Sequence, residues 1–306
     1  MEEEIMIDPW CLTLPEEMAD ARDFKAEEAI KLDYSIKLPS SYSLWKWIYK
    51  TNYQWSIGSC TANSNSHWVQ VLNVRKNWVV PTTKNIITPS WRDLWTKMWH
   101  NPDKYDGGDY AERAINIALK EWIYIEENWE VAKFDGYACE DWTQDDNWIE
   151  LIKRYLYKWC PIIWVFRGDS VMWLEMTRGE VKSVPKSKTW GHCVCLVGWD
   201  EWGFWFVNSW QTNDWKNLKS RFYVSYNVLK KLWSACNYRY RVLYIKEDAN
   251  LNPEYLKRKN IYVAVLGALK KTYPEENAAM KNAIEQFSAV CRKNYKEIND
   301  ELPING

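Results

Sequence analysis

Two neighbouring runs constrain this chain more than any other feature. Gly191-His-Cys-Val-Cys-Leu-Val-Gly-Trp199 and Gly203-Phe-Trp-Phe-Val-Asn-Ser-Trp210 are short, apolar and rich in β-branched and aromatic residues, as buried strands are. The Asp200–Gly203 segment between them reads as a hairpin turn. A turn centred near residue 200 sets His192 opposite Asn208, and a longer loop offsets the pair by up to about three residues, still within reach of a bulge. An Asn carbonyl accepting from one imidazole nitrogen leaves the other to face a nucleophile. Taken alone, a histidine on such a strand is more often structural. This chain, however, has only three histidines.

A second stretch supplies the nucleophile. In Gln54-Trp-Ser-Ile-Gly-Ser-Cys60 a loop of small residues gives way to an apolar-patterned run, with Ala62, Val69 and Leu72 spaced for one helix face over 60–75. A thiol at a helix N-terminus feels the positive end of the dipole, which favours thiolate. Gln54 is placed to aim a side-chain N–H at an oxyanion forming beside the sulfur. A lone Cys at such a position is ordinarily a small buried hydrophobe. The hairpin residues change that balance.

Together these stretches resemble the papain-like cysteine peptidases, in particular the bacterial-type subgroup carrying Q-G-S-x-G-S-C-T-A-N-A, here Q-W-S-I-G-S-C-T-A-N-S. The resemblance runs from about Asp8 to Tyr244 and keeps the family order Gln, Cys, His, Asn. It implies Cys60 as nucleophile, His192 as general base, Asn208 as its orienting partner and Gln54 as oxyanion-hole donor. It also implies that Gly107 and Gly108 pair their bare backbone with an extended substrate; a helix-opening turn is the plainer reading of the same glycines. Ser209-Trp210 follows Asn208 as in the family's N-S-W-G motif, where the indole shields the His–Asn pair. Gln211 replaces that motif's glycine and Asp214 its second tryptophan.

The implied fold is α+β, a helical lobe (about 51–158) and an antiparallel β lobe (about 159–245) with the site in a cleft between them. Residues 1–50 read as an irregular N-terminal lead-in with little room for a long inhibitory propeptide, and 246–306 as a C-terminal helical extension broken at Pro274. Periodicity predicts helices over 91–100, 110–121 and 148–157, and strands over 159–166, 179–184, 193–199, 204–210, 221–225 and 239–245. The expected activity is peptide-bond hydrolysis, with acyl transfer to an amine or mere peptide binding by an impaired relative as the alternatives. The expected partner is a peptide or protein substrate. No cofactor and no metal are expected, and the C-terminal helices are left as a surface for an unassigned partner.

Charge and cysteine usage narrow this further. Forty basic against 41 acidic residues give nucleic-acid steering no support. No apolar run is long enough for a membrane span, and the acidic start lacks a signal-peptide core. The eight cysteines show no regular framework, and Ile57 stands where many secreted relatives carry a disulfide cysteine, so a reducing cytoplasmic setting is expected.

One imbalance is severe: 23 tryptophans against 11 glycines. Trp202 lies in the hairpin turn and Trp122 just past a helical pattern, both places where backbone chemistry asks for glycine. In the papain resemblance Trp55, Trp159 and Trp215 also fall on glycine positions. The expectation is that some of these tryptophans stand for glycine, through UGA codons read as tryptophan. A carbohydrate-binding aromatic surface or a tryptophan-packed core would instead keep Trp to strands and faces.

Overall fold

The structure is a computed structural model that describes residues 26–54, 56–77, 89–104, 107–121, 123–125, 131–132, 136–141, 147–210, 220–236 and 239–244. In chain order these form α1 (Ala26–Ala29), β1 (Tyr42–Ser43), α2 (Cys60–Asn77), α3 (Trp91–Lys97), α4 (Ala111–Glu121), β2 (Ile123–Tyr124), β3 (Val131–Ala132) and β4 (Gly136–Asp141). Then follow α5 (Asn147–Tyr157), β5 (Ile162–Gly168), α6 (Ser170–Arg178), β6 (Glu180–Val181), β7 (Trp190–Trp199), β8 (Gly203–Val207), β9 (Arg221–Ser225), α7 (Tyr226–Cys236) and β10 (Arg239–Tyr244). Trp55, Trp122, Trp215, Gln211, Asp214 and the C-terminal extension lie outside the described residues.

An eight-stranded sheet runs β4-β10-β5-β7-β8-β9-β6, with β1 added to β7. Its pairings are antiparallel except for β6 with β9. Two of its strands, β1 and β4, come from before residue 159. All ten residues of β7 are buried, as befits its central place. Around it Trp164 stacks on Tyr240 at 5.4 Å, and Phe166, Phe206 and Phe222 form a cluster of rings. Aromatic contacts of this kind add directional preference to the area they bury.

The hairpin forms where expected, for a chemical reason. The Asp200 carboxylate accepts from the Trp202 and Gly203 N–H groups and from Tyr223 and Trp205 side chains, so one acid fixes the turn and pins it to β9. The register differs from a turn centred on residue 200. Cys195 pairs with Val207 and Trp199 with Phe204, and a bulge lies between Leu196 and Gly198. His192 and Asn208 therefore meet on a diagonal rather than face to face.

From Cys60 to Leu72 helix α2 has no exposed polar face. Thr61, Asn63, Ser64, Asn65, Ser66 and His67 are as buried as Ala62, Val69 and Leu72. Burying so many polar groups is tolerable only if they are bonded. Asn63 Nδ2 donates to Ser59 O, Asn65 Nδ2 to Thr61 O, and Trp68 Nε1 to Asn65 Oδ1. The Gln70 carboxamide ties the helix to the Tyr49–Lys50 backbone. Helices α4 and α5 are conventional by contrast, with Ala111, Ala114, Ile115 and Ala118 inward on the first and Leu151, Ile152, Tyr155 and Leu156 on the second.

The lead-in segment is held away from the hairpin's open end. Arg154 of α5 donates to the carbonyls of Asp33 and Ile36, and β1 pairs with Gly198 and Trp199. Gly198 permits that docking: a Cβ there would sit 2.6 Å from Tyr42 O. His192 lies six residues back along β7, about 20 Å away.

Among the described residues two non-glycine residues have positive φ, and both are tryptophans: Trp99 (67°) and Trp159 (64°). Each closes a helix. After α5, Trp159 N–H bonds Leu156 O and Cys160 N–H bonds Tyr155 O; after α3, Trp99 N–H bonds Thr96 O and His100 N–H bonds Trp95 O. This paired pattern puts a left-handed residue just past the helix, a place glycine usually takes. Helix α6 ends on Gly179 in that conformation, φ 95°. Trp159 matches the sequence expectation, Trp99 was not anticipated, and Trp202 has no positive φ and no need of glycine. Trp99 is 89% exposed, so its ring contributes little packing. Trp99→Gly is expected to stabilise the chain by about 1 kcal/mol, read as a raised urea midpoint. Trp159→Gly gains less, because the ring is packed 5.1 Å from Trp47.

Candidate active site

Asn208 sets the geometry of the imidazole. Its Oδ1 accepts the Ser209 backbone N–H at 2.9 Å, which fixes which end of the carboxamide carries oxygen. His192 Nε2 lies 3.0 Å from the same oxygen and must therefore be the donor. Nδ1 is left as a bare lone pair, buried and without a hydrogen-bond partner. Trp210 lies flat over the ring, centroids 4.2 Å apart and planes 18° apart. Trp173 of α6 packs against Trp210 in turn, at 5.9 Å. The indole keeps water off the His–Asn bond, which strengthens it. Burial pushes the His192 pKa down to about 4, against a smaller upward pull from the Asn208 bond.

Cys60 is the first residue of α2 and is buried. The helix lies against β7: Ser64, one turn on from Cys60, brings its Oγ to 3.0 Å from Cys193 Sγ, and Cys193 adjoins His192. Helix α2, which Cys60 begins, is thus packed on β7, the strand that carries His192. The helix terminus adds a partial positive charge beside the sulfur.

Gln54 is held from both sides. Its backbone N–H donates to Ser209 O at 2.9 Å. Ser209 Oγ donates to Gln54 Oε1 in a short bond, and Gln54 Nε2 donates to Ile57 O at 3.0 Å. The Tyr53–Trp210 bridge extends this seam. The loop before Cys60 is in this way stitched to the segment carrying Asn208 and Trp210. With its oxygen taken by Ser209, the Gln54 amide keeps one of two hydrogens for another acceptor. Ser209→Ala is expected to lower kcat about tenfold, the weight of one lost positioning hydrogen bond, with KM little changed. Steady-state kinetics on a peptide amide checks this.

Gly107 and Gly108 precede α4, away from these four residues in sequence. Gly108 has φ 81°, and a Cβ on Gly107 would meet nothing within 4 Å. Sequence reasoning passed over Ser209 as a binding partner and did not anticipate α6, which carries Trp173. The S-W pair after Asn208 was the available signal for the first; nothing in the local pattern gave the second. The remaining histidines take no part: His67 Nε2 accepts the Asn52 N–H, and His100 binds Asp109. A cavity of about 660 Å³ lies elsewhere, between residues 34–39, α5 and α7. Among the described residues no group of three or more His, Cys, Asp or Glu side chains is placed to hold a metal ion. Nor is any helix among them long and apolar enough to cross a membrane.

No protein-family model matches the chain, and no curated protein sequence does. Solved structures do match. Xylellain, a cysteine protease from Xylella fastidiosa, superposes with a TM-score of 0.59 at 19% identity, over 78% of this chain and 97% of that one. Digestive procathepsin L2 from the larval midgut of Tenebrio molitor gives 0.58 at 17% identity, over 80% and 81%. A cysteine protease of Carica candamarcensis gives 0.50 at 15% identity, over 68% and 99%. The α+β papain-like fold implied by the sequence is the fold observed.

Proposed function

We propose that this chain is a cysteine-type peptidase that hydrolyses peptide bonds through Cys60, His192, Asn208 and Gln54. The observation that carries the proposal is the His192–Asn208 bond under Trp210, with Cys60 heading the helix packed on the histidine's strand. Such a bond fixes the tautomer in which Nδ1 can take the thiol proton. Because burial disfavours the imidazolium, His192 stays charged only opposite an anion, and the Cys60 thiolate is that anion.

The thiolate attacks the scissile carbonyl carbon, and the C=O electron pair moves to oxygen. The Cys60 backbone N–H and the remaining Gln54 amide hydrogen receive that oxyanion. His192 then gives its proton to the leaving nitrogen as the C–N bond breaks. In the second half it takes a proton from water, which opens the thioester and restores the thiol. Gly107 and Gly108 offer main-chain groups to the substrate. Gln54→Ala is expected to lower kcat by about 10²–10³.

The direct test is hydrolysis of unfolded casein and of a fluorogenic peptide amide, with products analysed in the presence of an added primary amine. Free carboxylate products support hydrolysis. A product carrying the amine in preference to water assigns the site to acyl transfer instead. No turnover of either substrate overturns the proposal.

A further inference from the structure

We propose that Asp109 is a positioning residue for extended substrates, acting through the backbone of Gly107 and Gly108. The inference rests on the peptidase reading and adds a residue to it. Asp109 stands immediately after the two glycines and before α4, and its side chain is only 5% exposed. A carboxylate so buried is held by donors or not at all. Its Oδ2 accepts from His100 Nε2 at 2.8 Å and from the Arg113 guanidinium at 2.6 Å, and its Oδ1 accepts the Tyr110 N–H at 2.7 Å. Arg113 reaches on to Met98 O at 2.8 Å. The His100 ring is stacked on Trp95 of α3, centroids 4.0 Å apart.

The result is a clamp that binds the C-terminal end of α3 to the N-terminal end of α4. The glycines sit at its edge. Gly108 is in the left-handed region at φ 81°, a conformation with little intrinsic preference to hold it. Gly107 is exposed, and space for a Cβ stands open around it. Two adjacent glycines lose more chain entropy on being fixed than any other pair. A backbone edge meant to pair with a peptide must therefore be ordered by its neighbours, or binding itself bears that cost. Asp109 is the neighbour with the bonds to do so. It touches neither the sulfur nor the imidazole, so its removal should act on binding and not on chemistry.

Asp109→Asn presents an amide where the His100 and Arg113 donors converge and weakens the charge-assisted bond to Arg113. The expected result is a rise of about tenfold in KM for a peptide of four or more residues. Turnover number, and the rate on an acetyl amino-acid nitrophenyl ester too short to reach Gly107, stay within about twofold. Amide hydrogen exchange at residues 107–110 rises in parallel. His100→Gln, which keeps a donor facing Asp109, should leave KM near wild type, whereas His100→Leu should raise it. A variant that loses ester and peptide rates equally has a merely structural role, and the proposal fails. Unchanged KM, even with faster exchange, also overturns it. If wild-type chain cleaves neither substrate, the peptidase reading is what fails. Anisotropy of a fluorescent peptide on the same variants then decides for Asp109, weaker binding upholding it and equal binding overturning it.

Discussion

Cys60→Ala is expected to reduce peptide hydrolysis by about 10⁶-fold, to the level left by binding and oxyanion stabilisation alone. Loss of the sulfur removes the covalent route, and His192→Ala should cost a similar factor because nucleophile and base act as a unit. The double variant should therefore be little worse than either single one. Alkylation by a thiol-reactive epoxide supplies an independent readout. Among the described residues Cys60 is one of four buried free cysteines, with Cys160, Cys193 and Cys195. Burial raises the Cys195 thiol pKa well above its usual range, so that sulfur is inert. Labelling should fall on Cys60 and vanish in Cys60→Ala. Persistence of labelling at full stoichiometry would move the nucleophile elsewhere.

The second large effect is acid destabilisation, and it originates at His67. Burial pushes this imidazole down to about 3. Its Nε2 accepts the Asn52 N–H at 3.1 Å, an interaction that a protonated ring cannot make. The folded state therefore keeps His67 neutral while the unfolded chain binds a proton below about pH 6.5. Stability from this group is complete above that pH and falls as pH drops toward the folded value. The slope is about 1.4 kcal/mol per pH unit, so about 2.5 kcal/mol is gone by pH 4.5. His67→Gln offers the Asn52 N–H a carbonyl that does not titrate, and should remove that slope from urea midpoints measured between pH 7 and 4.5. On the proposed mechanism Cys60→Ala deprives His192 of the thiolate that holds its proton, so a second group of the same sign joins and the slope steepens. A profile that His67→Gln leaves unaltered would refute this assignment.

Helices α4 and α5 and strand β9 could be read from the chain because each has one wet side. Their alternation of apolar and polar residues reports which side that is. Helix α2 was expected over 60–75 and forms over Cys60–Asn77, but the burial of its other faces was not legible. Enclosed all round from Cys60 to Leu72, it carries no exposed polar face there for a pattern to mark, and Asn63, Ser64 and Asn65 are bonded to main-chain oxygens in ways invisible in sequence. The tryptophan excess was legible as a count. Which tryptophans sit in glycine's conformation was not, and Trp99 shows why: a left-handed closing residue is defined by the hydrogen bonds of a helix end, not by residue type.

The residues by themselves determined the chemistry on offer, a sulfur at a loop–helix junction and an imidazole and carboxamide flanking one turn. Identity and spacing suffice for that, since a tight turn brings near neighbours together whatever the rest of the chain does. Tertiary structure alone decided the tautomer of His192, the hold of Ser209 on Gln54, the bulge that makes the His–Asn contact diagonal, and the clamp at Asp109. Each depends on angles and distances between segments far apart in the chain. Those are set by how the whole core packs, and no local run of residues encodes them.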